Sequence, residues 1–265
     1  MSEFHVQPCS PRKTGEFLKK LRLSRPLVHC VTNEVVQEIT ANVLLAAGAS
    51  PAMVVGEGET AFFAGIASAL SINVGTPYSA RVEAMRKAVH GANAAHKPWV
   101  LDPVAAGGMS WRDQIILDLL SNGPTAVRGN ASEIRFLAGT GCGGKGVDSL
   151  DSSESALEAA VTLARKYSTF VVVTGLTDYA TDGKRILSTR GGSEMMTRVV
   201  GTGCSLSSLM AAFLGGAERS LEACIACCDY VNLANEIAST RSKGPGSFHV
   251  EYLDALYQIQ PEEFR

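Results

Sequence analysis

Short apolar runs alternate with amphipathic stretches along most of the 265-residue chain, and the alternation predicts a layered α/β fold. PLVHCVT (26–32) reads as a buried strand. Thr32 and Asn33 then stand where they would cap a helix carrying Val35, Val36, Ile39, Val43 and Leu44. Gly48 ends that helix, SPAMVV (50–55) is the next strand and ALSINVG (69–75) a third. A helix over 77–95 follows, with Pro77 in its first turn. PWVLDP is a strand, 111–120 a helix, TAVRGN a strand, and 130–138 a short helix opened by Asn130 or Ser132. Beyond a glycine-rich stretch, Asp151, Ser152 and Ser153 cap a helix over 154–167. TFVVVTG (169–175) is the most β-branched run and is expected at the centre of the sheet. Residues 179–189 read as a hairpin turning at Asp182-Gly183, and the chain from Gly203 onward is mostly helical.

Apolar strands separated by helices predict a mainly parallel sheet sandwiched between helices. No repeat, low-complexity linker or composition shift divides the sequence, so residues 1–265 are read as a single domain. Ligands of such sheets sit beyond the carboxyl ends of the strands. That rule picks out Asn33, Met53, Gly75, Asp102, Arg128 and Thr174.

Composition narrows the partners. Hydrophobic residues make up 46% and charged residues 19%, which fits strands covered on both faces or surface hidden in an oligomer. The net charge of −2 offers no broad basic field, which argues against nucleic acid and anionic lipid as partners. The amino-terminal MSEFHVQPCSPRKTGEF lacks the apolar core of a signal peptide, and no uninterrupted apolar run reaches membrane-spanning length. Seven cysteines, an odd number without disulfide-like spacing, point to reduced thiols and a cytoplasmic location.

The segment most suited to chemistry is VVGTGCSLSSLMAAFLGG (199–216), where a Gly-Thr-Gly turn runs directly into a helix of small and apolar residues. Glycines let the backbone approach a ligand, and a helix start offers unpaired N–H groups with a positive dipole end, as phosphoryl transfer requires. Cys204 lies in the first turn, where a thiolate would be favoured; the alternative is tight packing around an inert thiol. AVRGNASEIRFL (126–137) sets Arg128 and Glu133 just past a strand. They are either a phosphate clamp with a Mg²⁺-holding carboxylate, or Glu133 completes a capping box with Asn130. Asp102 in LDPVAAGG is either linked to a metal or a turn starter. GTGCGGKG (139–146) imitates a phosphate loop, but Gly146 replaces the hydroxyl residue and a helix precedes it where the motif needs a strand. Cys224, Cys227 and Cys228 share a helix face without a second ligand pair, so they read as small buried hydrophobes; His29 reads as a hydrogen-bonded structural residue.

Taken together and in order, HCVTNEVV (29–36), TANVLLAAGASPAM (40–53), INVGT (72–76), LDPVAAG (101–107), RGNASEI (128–134), VVVTG (171–175), VGTGCSLS (200–207) and GPGSF (244–248) resemble the hydroxyethylthiazole kinases, ribokinase-like enzymes of thiamine synthesis and salvage. The resemblance spans nearly the whole chain. It implies transfer of the γ-phosphoryl group of MgATP to the hydroxyl of 4-methyl-5-(2-hydroxyethyl)thiazole, within a homotrimer whose sites lie between subunits. By the same likeness Met53, Gly201 and Asn33 correspond to thiazole-binding positions, and Arg128 and Thr174 to ATP-binding positions. Asp102 and Glu133 correspond to acidic residues near Mg²⁺ and the phosphates, while Gly75 and Thr76 approach a neighbouring subunit's pocket. Cys204 takes the place where the wider superfamily carries an Asp as base toward the acceptor hydroxyl. Three rivals stand beside this reading: a nucleotide-dependent dehydratase of hydrated nicotinamide cofactors on the same fold, a nucleotide-binding module without turnover, and an acyl-enzyme on Cys204. The last lacks a clearly partnered histidine.

Overall fold

The computed structural model describes residues 4–140 and 152–264. From the amino terminus the elements are β1 (Val6–Pro8), α1 (Pro11–Ser24), β2 (Leu27–Val31), α2 (Gln37–Ala47), β3 (Ser50–Ala52), α3 (Thr60–Ile66), β4 (Ala69–Asn73), α4 (Ser79–Ala94), β5 (Trp99–Asp102) and α5 (Ser110–Ser121). They continue with β6 (Ala126–Asn130), α6 (Ala131–Leu137), α7 (Leu157–Tyr167), β7 (Phe170–Thr174), β8 (Thr177–Thr181), β9 (Ile186–Arg190), α8 (Thr202–Gly216), α9 (Leu221–Arg241) and α10 (Pro245–Gln258). The strands form one nine-stranded sheet in the order β1-β9-β8-β7-β6-β5-β4-β2-β3. Pairing is parallel from β3 through β7 and antiparallel across β7-β8-β9, and β1 lies parallel to β9.

The interior strands are apolar on both faces, which is why they read as continuous runs. Val28, Cys30, Val100, Ala126 and Val172 enter a core shared with α1, α2, α8, α9 and α10. Their alternating neighbours Val31, Leu101, Val127, Val171 and Val173 enter a second core with α4 to α7. The mainly parallel sheet between helices is thus present as expected, with one adjustment. TFVVVTG is β7, one place from the middle strand β6, at the seam where parallel pairing gives way to the antiparallel hairpin. Its β-branched density reports burial on both faces, not centrality.

Local chemistry shifts several expected boundaries. Asn33 does cap, its Oδ1 accepting from the Val35 N–H at 3.1 Å, but it opens a 3₁₀ turn over Glu34–Val36 before α2 begins. Ser152 likewise opens a 3₁₀ turn (Ser153–Ala156) ahead of α7, and β3 is shorter than the 50–55 run. Three elements have no counterpart in the sequence reading: β1, α1 and α3. Among the described residues, no helix is long and apolar enough to cross a membrane.

Candidate active site

The parallel strands place polar residues at their carboxyl ends side by side. In register, Asn73 of β4 faces Asp102 of β5, and Asn130 of β6 faces Thr174 of β7. α8 packs across β2, β4 and β5, with Ser208 joined to Ser71 through a 2.9 Å hydroxyl contact, so its first turn lies over these strand ends. Gly201 makes that turn possible. It caps α8 with a left-handed backbone (φ 89°), and a Cβ there would lie 2.6 Å from Ile39 Cγ2 and 3.0 Å from Val36 Cγ1. Thr202 fixes the approach by donating its hydroxyl to the Met196 carbonyl at 3.1 Å.

On one side of the turn, Asn33 is buried and donates Nδ2 to Asn73 Oδ1 at 2.9 Å and to Cys204 Sγ at 3.7 Å. Met53 and Cys204 are both half-buried against the same apolar cluster. Gly75 lies against the Asn33 side chain, and an added Cβ would come within 2.7 Å of its Nδ2. Thr76 adopts φ 37° and accepts the Glu34 N–H at 3.2 Å. Buried Arg81 donates to the Thr32 carbonyl and pairs with Glu34 at 3.4 Å, which pins the Asn33 segment from the other flank. The thiolate expected at Cys204 is not favoured. Burial, then the nearby Asp102 carboxylate, push the thiol up to about 12, outweighing the helix start. At neutral pH Cys204 is a thiol.

On the other side, Arg128 donates Nη2 to Thr174 Oγ1 at 2.6 Å and Nη1 to the Gly203 carbonyl at 3.2 Å, and lies 3.9 Å from Asp102. Asp102 Oδ2 accepts from Asn73 Nδ2 at 2.8 Å and from Ser207 Oγ at 2.9 Å. Burial pushes Asp102 up to about 7 despite the opposing charge of Arg128. Glu133 completes the capping box, taking the Asn130 N–H on Oε2 at 2.8 Å, and accepts the Ala105 N–H on Oε1 at 2.9 Å. The helix-capping reading of Glu133 is therefore realised, and the same carboxylate stays close enough to raise Asp102 by charge. Among the described residues no group of three or more His, Cys, Asp and Glu gathers as a metal cage. A repelling pair of buried carboxylates suits a hard cation that keeps water and phosphate oxygens for its other ligands.

Asn73, Ser207, Arg81 and Asp178 were missed in the sequence. Asn73 was signalled by a polar residue closing an apolar strand, and Ser207 by its i+3 spacing from Cys204. Asp178 accepts from the Gly175 N–H and from Asn232, each at 3.0 Å, and burial pushes it up to about 6. The remaining candidates stay outside the site. Gly139 and Thr140 end α6, and the rest of the loop-like motif lies outside the described residues. Cys224, Cys227 and Cys228 are fully buried. His29 contacts the Val54 carbonyl at 2.7 Å through Nε2 and sets its ring edge-on to Phe63, and burial lowers its pKa.

Known proteins resemble this chain in sequence and in fold. The hydroxyethylthiazole kinase family matches residues 18–262. The chain is 54% identical to a hydroxyethylthiazole kinase of Escherichia coli over 257 residues, 97% of this chain and 98% of the relative. It is 51% identical to that of Serratia proteamaculans, covering 94% of each. The solved hydroxyethylthiazole kinase structure from Pyrococcus horikoshii superposes with a TM-score of 0.86 at 40% identity, over 93% of each chain. A ribokinase-like superfamily protein of Enterococcus faecalis shares the fold at 13% identity, with a TM-score of 0.69. On these matches, the chain belongs to the hydroxyethylthiazole kinase family.

Proposed function

We propose that the strand ends of β2 and β4 to β7, closed by the first turn of α8, carry ATP-dependent phosphorylation of the hydroxyl of 4-methyl-5-(2-hydroxyethyl)thiazole. The observation that carries the assignment is the position of Arg128, which joins Thr174 to the Gly203 carbonyl beside the unpaired amides of a helix start. That is a place for a phosphate chain in transit. Cys204 and Asn33 lie on the opposite side of the same turn, where the acceptor alcohol belongs, with Met53 and Gly201 completing the thiazole pocket. The alcohol oxygen attacks the γ-phosphorus as the bond to the bridging β-phosphate oxygen breaks; ADP departs, and the hydroxyl proton is lost late, through an oxygen of the transferred phosphoryl group to solvent. With little proton transfer needed before bond-making, a neutral Cys204 thiol suffices to hold the acceptor oxygen in line.

Asp102 and Glu133 are the residues that would hold Mg²⁺, which when bound supplies charge neutralisation to the phosphates. We also propose a homotrimer in the cytoplasm. Val35 and Tyr78, on the connections leaving β2 and β4, are exposed apolar residues that flank Asn33 and Arg81, and a subunit boundary there would cover them.

Purified protein with the thiazole alcohol, Mg²⁺ and ATP should yield a product heavier by one phosphoryl group. Arg128→Lys keeps the charge and loses the planar fork, so the apparent KM for ATP should rise about tenfold while that for the alcohol holds. Unchanged ATP saturation would remove Arg128 from the nucleotide site.

A further inference from the structure

A chain of side-chain hydrogen bonds runs from the alcohol side of the site to the phosphate side. It begins at Cys204 Sγ, passes through Asn33 and Asn73, and ends on Asp102 Oδ2, where Ser207 also donates. Its direction is fixed by backbone. The Gly75 N–H can only donate, and it meets Asn73 Oδ1 at 3.0 Å; the Val35 N–H meets Asn33 Oδ1 at 3.1 Å. Neither amide can flip without setting an N–H against an N–H in a buried site. Asn73 must therefore present its carbonyl to Asn33 and its NH₂ to Asp102, and Asn33 must present its NH₂ to the thiol sulfur.

We infer that Asn73 is a positioning residue of the phosphoryl transfer, holding Asn33 in register with Asp102 so that the alcohol and phosphate sides of the site are set by one side chain. The inference rests on the site assignment proposed above. No other side chain is hydrogen-bonded both to Asn33 and to Asp102 among the contacts of the described residues. Ser207 shares only the second half, donating to Asp102 without touching Asn33, so it serves as the internal control.

The test is a double-mutant cycle read on the KM for the thiazole alcohol, with the melting temperature of each variant confirming the fold. Asn33→Ala alone should raise that KM about tenfold, the worth of one buried hydrogen bond. In an Asn73→Ala background the same substitution should add less than about twofold, because Asn33 has already lost its anchor. In a Ser207→Ala background the full effect of Asn33→Ala should persist. If Asn73→Ala does not fold, Asn73→Ser keeps a polar group in the site but is too short for both contacts and replaces it in the cycle. An Asn33→Ala effect of equal size in all backgrounds overturns the relay and leaves the site assignment standing. No effect of Asn33→Ala in the otherwise native protein overturns the placement of the alcohol, and the relay with it.

Discussion

Gly201→Ala is the substitution whose outcome the geometry constrains most tightly. A Cβ at this position meets two independent penalties. The backbone is left-handed at φ 89°, which costs an L-residue about 1–2 kcal/mol. The added carbon also arrives 2.6 Å from Ile39 Cγ2 and 3.0 Å from Val36 Cγ1, both in well-packed surroundings, and overpacking of this kind costs about 1–3 kcal/mol. The sum, about 2–5 kcal/mol, corresponds in a chain of this size to a fall in melting temperature of about 4–10 °C. Relief requires α8 to move away from α2, which carries the Cys204 and Gly203 groups with it. A displacement near 1 Å is enough to lower kcat/KM by about a hundredfold. Scanning calorimetry and steady-state kinetics read the two effects. Ile39→Ala removes the Cγ2 atom and leaves the backbone penalty, so Gly201→Ala should cost less stability in that background than alone. A melting temperature within about 1 °C of the parent, or an undiminished cost beside Ile39→Ala, would refute the packing argument.

Cys204→Ser should keep kcat within about tenfold, since the proposed role needs only a neutral group; a kinetic limb at thiol-like pH that disappears in the variant would contradict this. Asp102, pushed up to about 7, and Asp178, up to about 6, hold protons in the folded state that the unfolded chain releases from about pH 4 upward. Without metal, stability should therefore fall as pH rises through that window. Asp102→Asn should flatten the fall, with Asp178 retaining a share, as urea melts in chelator between pH 5 and 8 would record, and an unchanged slope would exclude Asp102 as its source. Cys228→Ser places a hydroxyl in a fully buried apolar site and should cost about 1–3 kcal/mol in denaturant melts while both KM values hold. Lost catalysis without lost stability would instead indicate a functional thiol.

How much of this was legible in the sequence follows from how local each signal is. Strands β4 to β7 declared themselves because burial on both faces makes them apolar without interruption, and the Gly-Thr-Gly turn declared α8 because only glycine tolerates its backbone. Arg128 and Thr174 were each placed at a strand end, but their 2.6 Å contact depends on the pairing of β6 with β7, which neither segment contains. Asn73 was passed over for a related reason. A polar residue closing an apolar strand looks like the beginning of a turn until β5 brings Asp102 into register beside it. For Cys204 the sequence left a favoured thiolate and an inert thiol both open, because a helix start is visible in sequence whereas the burial that raises the thiol is not. β1 and α3 escaped through brevity. α1 carries Pro11 at its start and buried Phe17, Leu18 and Leu21, but its polar face dilutes the apolar signal.

The charges at the centre explain why these parts occur together. The start of α8 carries the positive end of its dipole, and the Arg128 guanidinium is held against its first turn at the Gly203 carbonyl, so two positive features stand side by side. Asp102 is close enough to offset them, yet burial brings it to about 7, which leaves its negative charge only partly available near neutral pH. Glu133, whose carboxylate is also raised by burial, has both oxygens already engaged by backbone amides. Positive features therefore outweigh negative ones on the side facing the strand ends. Under the proposed assignment, the γ-phosphoryl group answers that positive potential, and Asp102 and Glu133 are the residues that would hold a divalent cation against the phosphates. Because the amides and the guanidinium are already oriented, little reorganisation remains for the reacting step, and preorganisation of this kind is the main means by which a protein accelerates phosphoryl transfer.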